Sequence, residues 1–171
     1  MTNKDPDAPR WFVARVRSCQ EKMVAASLAA SGVEFYLPVR REVRRWSDRR
    51  KVIDALVLPR FIFVRCTPEE RLQILAGEPR ITGFLANASV VSVVRDSEMQ
   101  TFIRMVEQGG GGVRVNHEAL APGDRVRVLD GPLAGLECEL VSVAGGRCLA
   151  VRLGLLGTAT MDLDIQTVEK I

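Results

Sequence analysis

Histidine occurs once in 171 residues, cysteine four times, and aromatic residues make up only 5% of the chain. These scarcities exclude several chemistries. His117 lies far in sequence from Cys19, Cys66, Cys138 and Cys148, and no two cysteines have the C-x-x-C spacing, so a structural zinc site is not expected. Scattered thiols in a chain without an export signal are expected to be small, reduced core residues. The lone histidine sits in Val115-Asn-His-Glu-Ala119 beside a glycine run, with no locatable nucleophile or acid partner, and reads as an exposed loop residue. No catalytic residue, metal or cofactor is expected, and the chain does not read as an enzyme. Long apolar runs are missing too. No stretch approaches the roughly 18 residues needed to span a bilayer, and residues 1–9 lack the apolar run of a signal peptide, so a cytoplasmic protein with no membrane partner is expected.

A large excess of one charge is also absent: 24 Lys+Arg stand against 21 Asp+Glu, a net +3 that identifies no partner. What is present is an ordinary globular composition, 47% hydrophobic and 26% charged, with length for one domain or two small ones. The clearest punctuation is Gly109-Gly-Gly-Gly112. Glycines lose the most backbone entropy on ordering, and Val113-Arg-Val-Asn116 follows where a phosphate loop would need Gly-Lys-Ser/Thr, so the run reads as a linker. A Gly-rich coil over 108–119 would span about 20 Å. Divided there, residues 1–108 hold 18 Lys+Arg and 13 Asp+Glu while 109–171 hold 6 and 8, which is +5 against −2. The excess is concentrated further. Arg40, Arg41, Arg44, Arg45, Arg49, Arg50 and Lys51 lie in one short stretch that contains only Glu42 and Asp48 as acids.

The N-terminal part alternates strand and helix signals. Trp11-Phe-Val-Ala-Arg-Val16 reads as a strand, 20–31 as an Ala-rich helix stopped by Gly32, and Glu34-Phe-Tyr-Leu-Pro38 as the start of a second strand. Residues 40–58 read as a polar hairpin with Ser47-Asp48 near its tip. Phe61-Ile-Phe-Val64 has the continuous apolar character of a central strand. Thr67-Pro-Glu-Glu70 is a capping box with proline in the first turn, and a short helix through Leu72 and Leu75 follows. Strand signals at 81–85 and 90–94 precede a helix capped by Asp96, whose Met99, Phe102, Ile103 and Val106 repeat at helical spacing. Beyond the linker, runs at 125–128, 139–143, 148–152 and 159–163 are separated by glycine turns, which implies a small barrel. The expected class is α+β: an antiparallel sheet flanked by helices, then an all-β barrel.

Gly123-Asp-Arg-Val-Arg-Val-Leu-Asp-Gly-Pro-Leu-Ala-Gly-Leu-Glu137 resembles the KOW motif, with Cys138 where that motif usually has glycine. Trp11-Phe-Val13, Leu58-Pro-Arg-Phe-Ile-Phe-Val64 and Pro79-Arg-Ile-Thr-Gly-Phe-Leu85 resemble, in order and spacing, three signature segments of the NusG family's N-terminal domain. Arg60 stands where that pattern has a small residue. The resemblance covers 10–171 and implies a tail over 1–9, a NusG-like domain over 10–108, a linker over 109–119 and an SH3-like KOW barrel over 120–171. The Glu34-Phe-Tyr-Leu-Pro38 segment and the arginine-rich hairpin are more similar to the specialised RfaH and UpxY-type paralogues than to housekeeping NusG.

The resemblance implies a transcription elongation factor, expected as a monomer, that binds the clamp on the largest subunit of RNA polymerase and suppresses pausing and termination. On matching positions Trp11, Val57, Leu58 and Phe61 are implied to dock on the polymerase, and an exposed Leu58–Phe61 patch would favour this. Each is equally a candidate for the core. Arg17, Lys22 and Arg80 match positions that touch the non-template DNA strand, a role suited to guanidinium groups, with solvated surface charge as the plain alternative. Arg44, Arg45, Arg49 and Arg50 are placed to reach upstream DNA or an acidic polymerase surface. Leu155 and Leu156 lie where relatives present an apolar loop to a small-subunit ribosomal protein or to Rho, or else fill the barrel core. The barrel's glycines, each costing about 1 kcal/mol in a helix, argue against an RfaH-like helical hairpin there. Housekeeping NusG and a KOW-type RNA- or ribosome-binding module stay open as alternatives.

Overall fold

The computed structural model describes residues 5–109, 112–163 and 168–171. Residues 1–4 of the expected tail, and Gly110 and Gly111 in the middle of the expected linker, lie outside the described residues. In chain order the elements are β1 (Arg10–Val16), α1 (Glu21–Ala30), β2 (Glu34–Tyr36), β3 (Val39–Arg45), β4 (Arg50–Leu56), β5 (Phe61–Cys66), α2 (Pro68–Gly77), β6 (Ile81–Phe84), β7 (Ala86–Asn87), β8 (Val90–Val91), β9 (Val93–Val94) and α3 (Asp96–Gln108). Then follow β10 (Arg114–Asn116), β11 (Asp124–Val128), β12 (Glu137–Val143), β13 (Gly146–Arg152), a 3₁₀ turn at Gly154–Leu156, β14 (Thr158–Asp162) and β15 (Val168–Lys170). The chain divides into two compact units. One runs from the described N-terminal residues to Leu37 and adds Leu58–Asp96 and Gly154–Leu156; the other holds Pro38–Val57, Ser97–Leu153 and the described residues from Gly157 onward.

In the first unit an antiparallel sheet has the order β2-β5-β1-β6, with β9 on β1 as well. β1 is central: β5 lies along one edge, while β9 takes Trp11 and Phe12 and β6 takes Ala14 to Val16 on the other. That is why five of its residues in the pattern iBBBBeB are buried and its sequence reads as one apolar run. Phe12, Ala14, Val16, Ile62, Val64 and Cys66 form one core face with Val24 and Leu28 of α1. The capping box of α2 is formed, with the Glu70 N–H donating to Thr67 Oγ1 at 3.1 Å and the Thr67 N–H to Glu70 Oε2 at 2.8 Å. Arg71 lays its guanidinium over the rings of Phe12 and Phe84, 5.4 and 5.6 Å from their centroids.

In the second unit β3 and β4 pair as the expected hairpin, and six strands in the order β10-β14-β13-β12-β11-β15 make the small barrel. Together with the helices and the N-terminal antiparallel sheet, this is the α+β architecture expected. Met99, Phe102, Met105 and Val106 of α3 are buried, and Arg104 Nη2 donates to the Ala134 carbonyl at 2.7 Å. Around the expected linker, Gly109 and the segment from Gly112 to Ala119 are described. Gly109 approaches so closely that a Cβ there would overlap Met161 Cε and the Met105 carbonyl. β10 pairs with β14, and Arg114 and Asn116 bond to Asp162 at 2.7 Å and Thr160 at 3.1 Å. Cys138 occupies an interior strand position opposite Val126, buried, so the loss of the motif's usual glycine is absorbed within the sheet.

Candidate functional site

Two of the four apolar candidates are buried. Sheet register sets Trp11 opposite Arg65 and Arg15 opposite Phe61, so alternation puts Trp11, Val13, Phe61 and Phe63 on one face. Val13 and Phe63 are fully buried and Trp11 is 7% exposed. Leu58 is 4% exposed, whereas Phe61 is half-buried, so the open Leu58–Phe61 patch is reduced to Phe61 alone. Val57, half-buried, closes the base of the hairpin by donating its N–H to the Pro38 carbonyl at 3.0 Å. A polar residue at 58 would therefore test packing rather than docking; Val57 and Phe61 are the members whose surfaces are partly open.

Three arginine backbones meet at the end of β1. The Val16 N–H donates to the Arg60 carbonyl at 2.8 Å and the Arg17 N–H to the Arg80 carbonyl at 2.9 Å. Arg17 and Lys22 are exposed; Arg80 is half-buried, with Nη1 3.4 Å from the buried Glu78 carboxylate. Pattern reading alone does not single out Arg60, the exposed member that the fold adds. It is held at φ +73°, a left-handed conformation that costs a residue with a Cβ about 1 kcal/mol. The buried Glu21 carboxylate holds it there by accepting the Arg60 N–H at 2.9 Å. The available signal was the large residue standing where the family has a small one.

The hairpin closes through Ser47-Asp48, with the Trp46 N–H donating to the Arg49 carbonyl at 2.8 Å. Its register sets Arg45 opposite Arg50 and Arg44 opposite Lys51. Like charges directly opposite each other destabilise a strand pair. Glu42 partly neutralises one end, 2.9 Å from Arg40 and 3.8 Å from Arg44, and Arg41 lies 4.0 Å from Asp54. Arg45, Arg49, Arg50 and Lys51 have no side-chain hydrogen bond or ion pair among the described residues. Val43, Trp46 and Val52 stand 63%, 59% and 61% exposed between them.

Arg114, Arg125, Arg127 and Arg152 of the barrel are ion-paired. Arg152 grips Glu139 with Nη2 and Nε at 2.7 and 3.0 Å and donates Nη1 to the Leu120 carbonyl at 3.1 Å, while Glu139 also accepts the Gly123 N–H at 2.6 Å. These hydrogen bonds from Arg152 hold the Glu139 carboxyl below its ordinary range and Arg152 above its own. Arg127 spans Glu137 at 2.8 Å and Glu169 at 3.2 Å, which likewise lowers the Glu137 carboxyl. At the expected partner loop Leu155 is 51% exposed but Leu156 only 2%, so Leu156 is buried and of the two only Leu155 is exposed. Three of the cysteines are buried and Cys19 is exposed. Burial pushes the Cys66 and Cys138 thiols up to about 11, so both are unreactive core groups. Among the described residues no cluster of His, Cys, Asp or Glu is arranged to hold a metal, and no helix is long and apolar enough to cross a membrane.

The family model for "Transcription termination factor nusG" matches residues 9–103. The chain is 26% identical to the transcription termination/antitermination protein NusG of Pseudomonas aeruginosa, covering 96% of this chain and 99% of that one. Its identity to the protein of the same name from Lactococcus lactis is 23%, over 94% and 92%. The solved structure titled "Domain interaction in Thermotoga maritima NusG" shares the fold at a TM-score of 0.50 and 20% identity, covering 95% of this chain and 97% of that one.

Proposed function

The chain belongs to the NusG family, and from that premise we propose that this transcription termination/antitermination factor acts as an operon-specific antiterminator of the RfaH/UpxY type. It docks on the polymerase clamp through its N-terminal part, with Val57 and Phe61 as the accessible apolar contacts, and suppresses pausing and termination. Its targets are proposed to be polysaccharide biosynthesis operons. Arg17, Lys22 and Arg80, joined by Arg60, face the non-template strand. Leu155 faces a ribosomal protein or Rho. The observation that carries the specialised reading is the hairpin tip, where four cations have no ion pair among the described residues and like charges face each other across the strand pair. Such charge contributes to an encounter with phosphate or acidic protein, and not to folding.

The full-length likeness to curated NusG proteins favours a second reading, a housekeeping factor whose barrel recruits Rho. Pausing and Rho-termination assays with purified polymerase separate them. An antiterminator shortens pauses and lengthens transcripts when Rho is present; a housekeeping factor enhances Rho termination. Replacing Val57 and Phe61 together by serine is expected to remove the effect on pausing with the fold intact, and an undiminished effect would eliminate the docking assignment.

A further inference from the structure

The two faces of the hairpin tip differ. Counting outward along the register, one face carries Val43 and Val52, then Arg45 and Arg50. The other carries Glu42 and Ile53, then Arg44 and Lys51, then Trp46 and Arg49, the next pair beyond the ladder. That second face thus sets an indole, 59% exposed, among three cations. Trp46 is more than half exposed and not among the core residues, and the cations around it repel one another. Both features are relieved by one class of ligand: an unpaired nucleotide stacks its base on the indole and brings phosphate to the arginines and lysine. A duplex keeps its bases stacked on each other and offers no free face. An acidic protein segment would satisfy the cations and leave the indole without a partner.

We infer that the Arg44, Trp46, Arg49 and Lys51 face of the β3–β4 hairpin is a stacking platform for an unpaired DNA strand. DNA is favoured over RNA because the 2′-hydroxyl is read by an acceptor as well as a donor. The one acidic side chain of this face, Glu42, is already engaged by Arg40 and Arg44. The platform lies on the hairpin, apart in sequence from the Arg17, Lys22, Arg60 and Arg80 group, and would give the protein a second grip on a displaced strand. It rests on the proposed encounter of the hairpin's cations with phosphate, and takes nucleic acid rather than acidic protein as the partner.

The test uses the full chain and fluorescence. Only two tryptophans are present and Trp11 is buried, so quenching of indole emission on adding oligothymidylate reports Trp46. Binding of oligothymidylate is expected with quenching, more tightly than the matching duplex. Trp46→Ala is expected to weaken it by about tenfold and Trp46→Phe by about threefold or less, because phenylalanine still stacks. Neither variant changes the salt dependence, whereas Arg44→Gln, Arg49→Gln and Lys51→Gln together flatten it. Unquenched binding that Trp46→Ala leaves unchanged overturns the platform, as does equal affinity for duplex; oligouridylate binding as tightly as oligothymidylate overturns the assignment to DNA. If the triple variant retains full affinity and salt dependence on every probe, the nucleic-acid reading of the hairpin falls with it.

Discussion

The β3–β4 hairpin and the barrel are both made of antiparallel strands studded with arginine, yet the hairpin tip and the barrel use the residue differently. In the barrel each of Arg114, Arg125, Arg127 and Arg152 lies within 4.0 Å of a carboxylate, and Arg152 ties β12 to β13 and to the segment leading into β11. On the hairpin Arg40, Arg41 and Arg44 also lie within 4.0 Å of a carboxylate, but toward the tip the register aligns cation with cation, and Arg45, Arg49, Arg50 and Lys51 have no ion pair among the described residues. The difference separates charges that hold the chain together from charges held ready for another molecule, a distinction that the net charge of +3 conceals.

Four changes would break or sharpen this contrast. The largest effect is expected at Gly123, where a Cβ would overlap the Leu140 carbonyl beside the Glu139 clasp. Backbone cannot yield as a flexible side chain does, so Gly123→Ala should destabilise the barrel by about 3 kcal/mol, measured by urea unfolding. A full-stability variant would show that the clasp does not order this segment. Next comes Arg152→Ala, expected to cost about 2 kcal/mol because Glu139 and the Leu120 carbonyl lose their donor in a partly buried site. The pH dependence has a definite sign. Since the Glu139 carboxyl is held low in the folded state, its contribution is fully present above the unfolded value of about 4.3 and disappears as pH falls through the folded one. Glu139→Gln should therefore lower stability at neutral pH and flatten the acid limb of the stability curve; an unaltered limb assigns the acid sensitivity elsewhere. Smallest is the hairpin pair. Arg45→Gln with Arg50→Gln should raise stability by about 0.5 kcal/mol by removing a like-charge pair, while reducing the effect on pausing. Loss of stability would put these arginines in the same class as those of the barrel.

Much of the secondary structure is legible along the chain because its causes are local. Thr67, Pro68 and Glu70 start α2 by a reciprocal bond across three residues, and the strands of the barrel are read from short apolar runs between glycines. β10 escapes that reading because only three residues long, beside a glycine run, it gains its order from Asp162 and Thr160. The candidate surfaces are less legible. Leu58 and Leu155-Leu156 look alike as apolar residues near turns, but Leu58 and Leu156 are buried and Leu155 is not. No local pattern distinguishes them, since burial depends on what arrives from elsewhere in the chain.

The residues alone therefore determine the α+β order of elements, the position of the hairpin and the gathering of cations on it, because each depends on neighbours within a strand or a helical turn. Tertiary structure decides which charges are answered. Register, not composition, sets Arg45 against Arg50; a buried carboxylate 39 residues away holds Arg60 in its left-handed turn beside Arg17 and Arg80. Those pairings are long-range. Free energy selects them only when the whole sheet closes, by burying the apolar faces at the expense of chain entropy and leaving the exposed edges to carry whatever charge the core does not need.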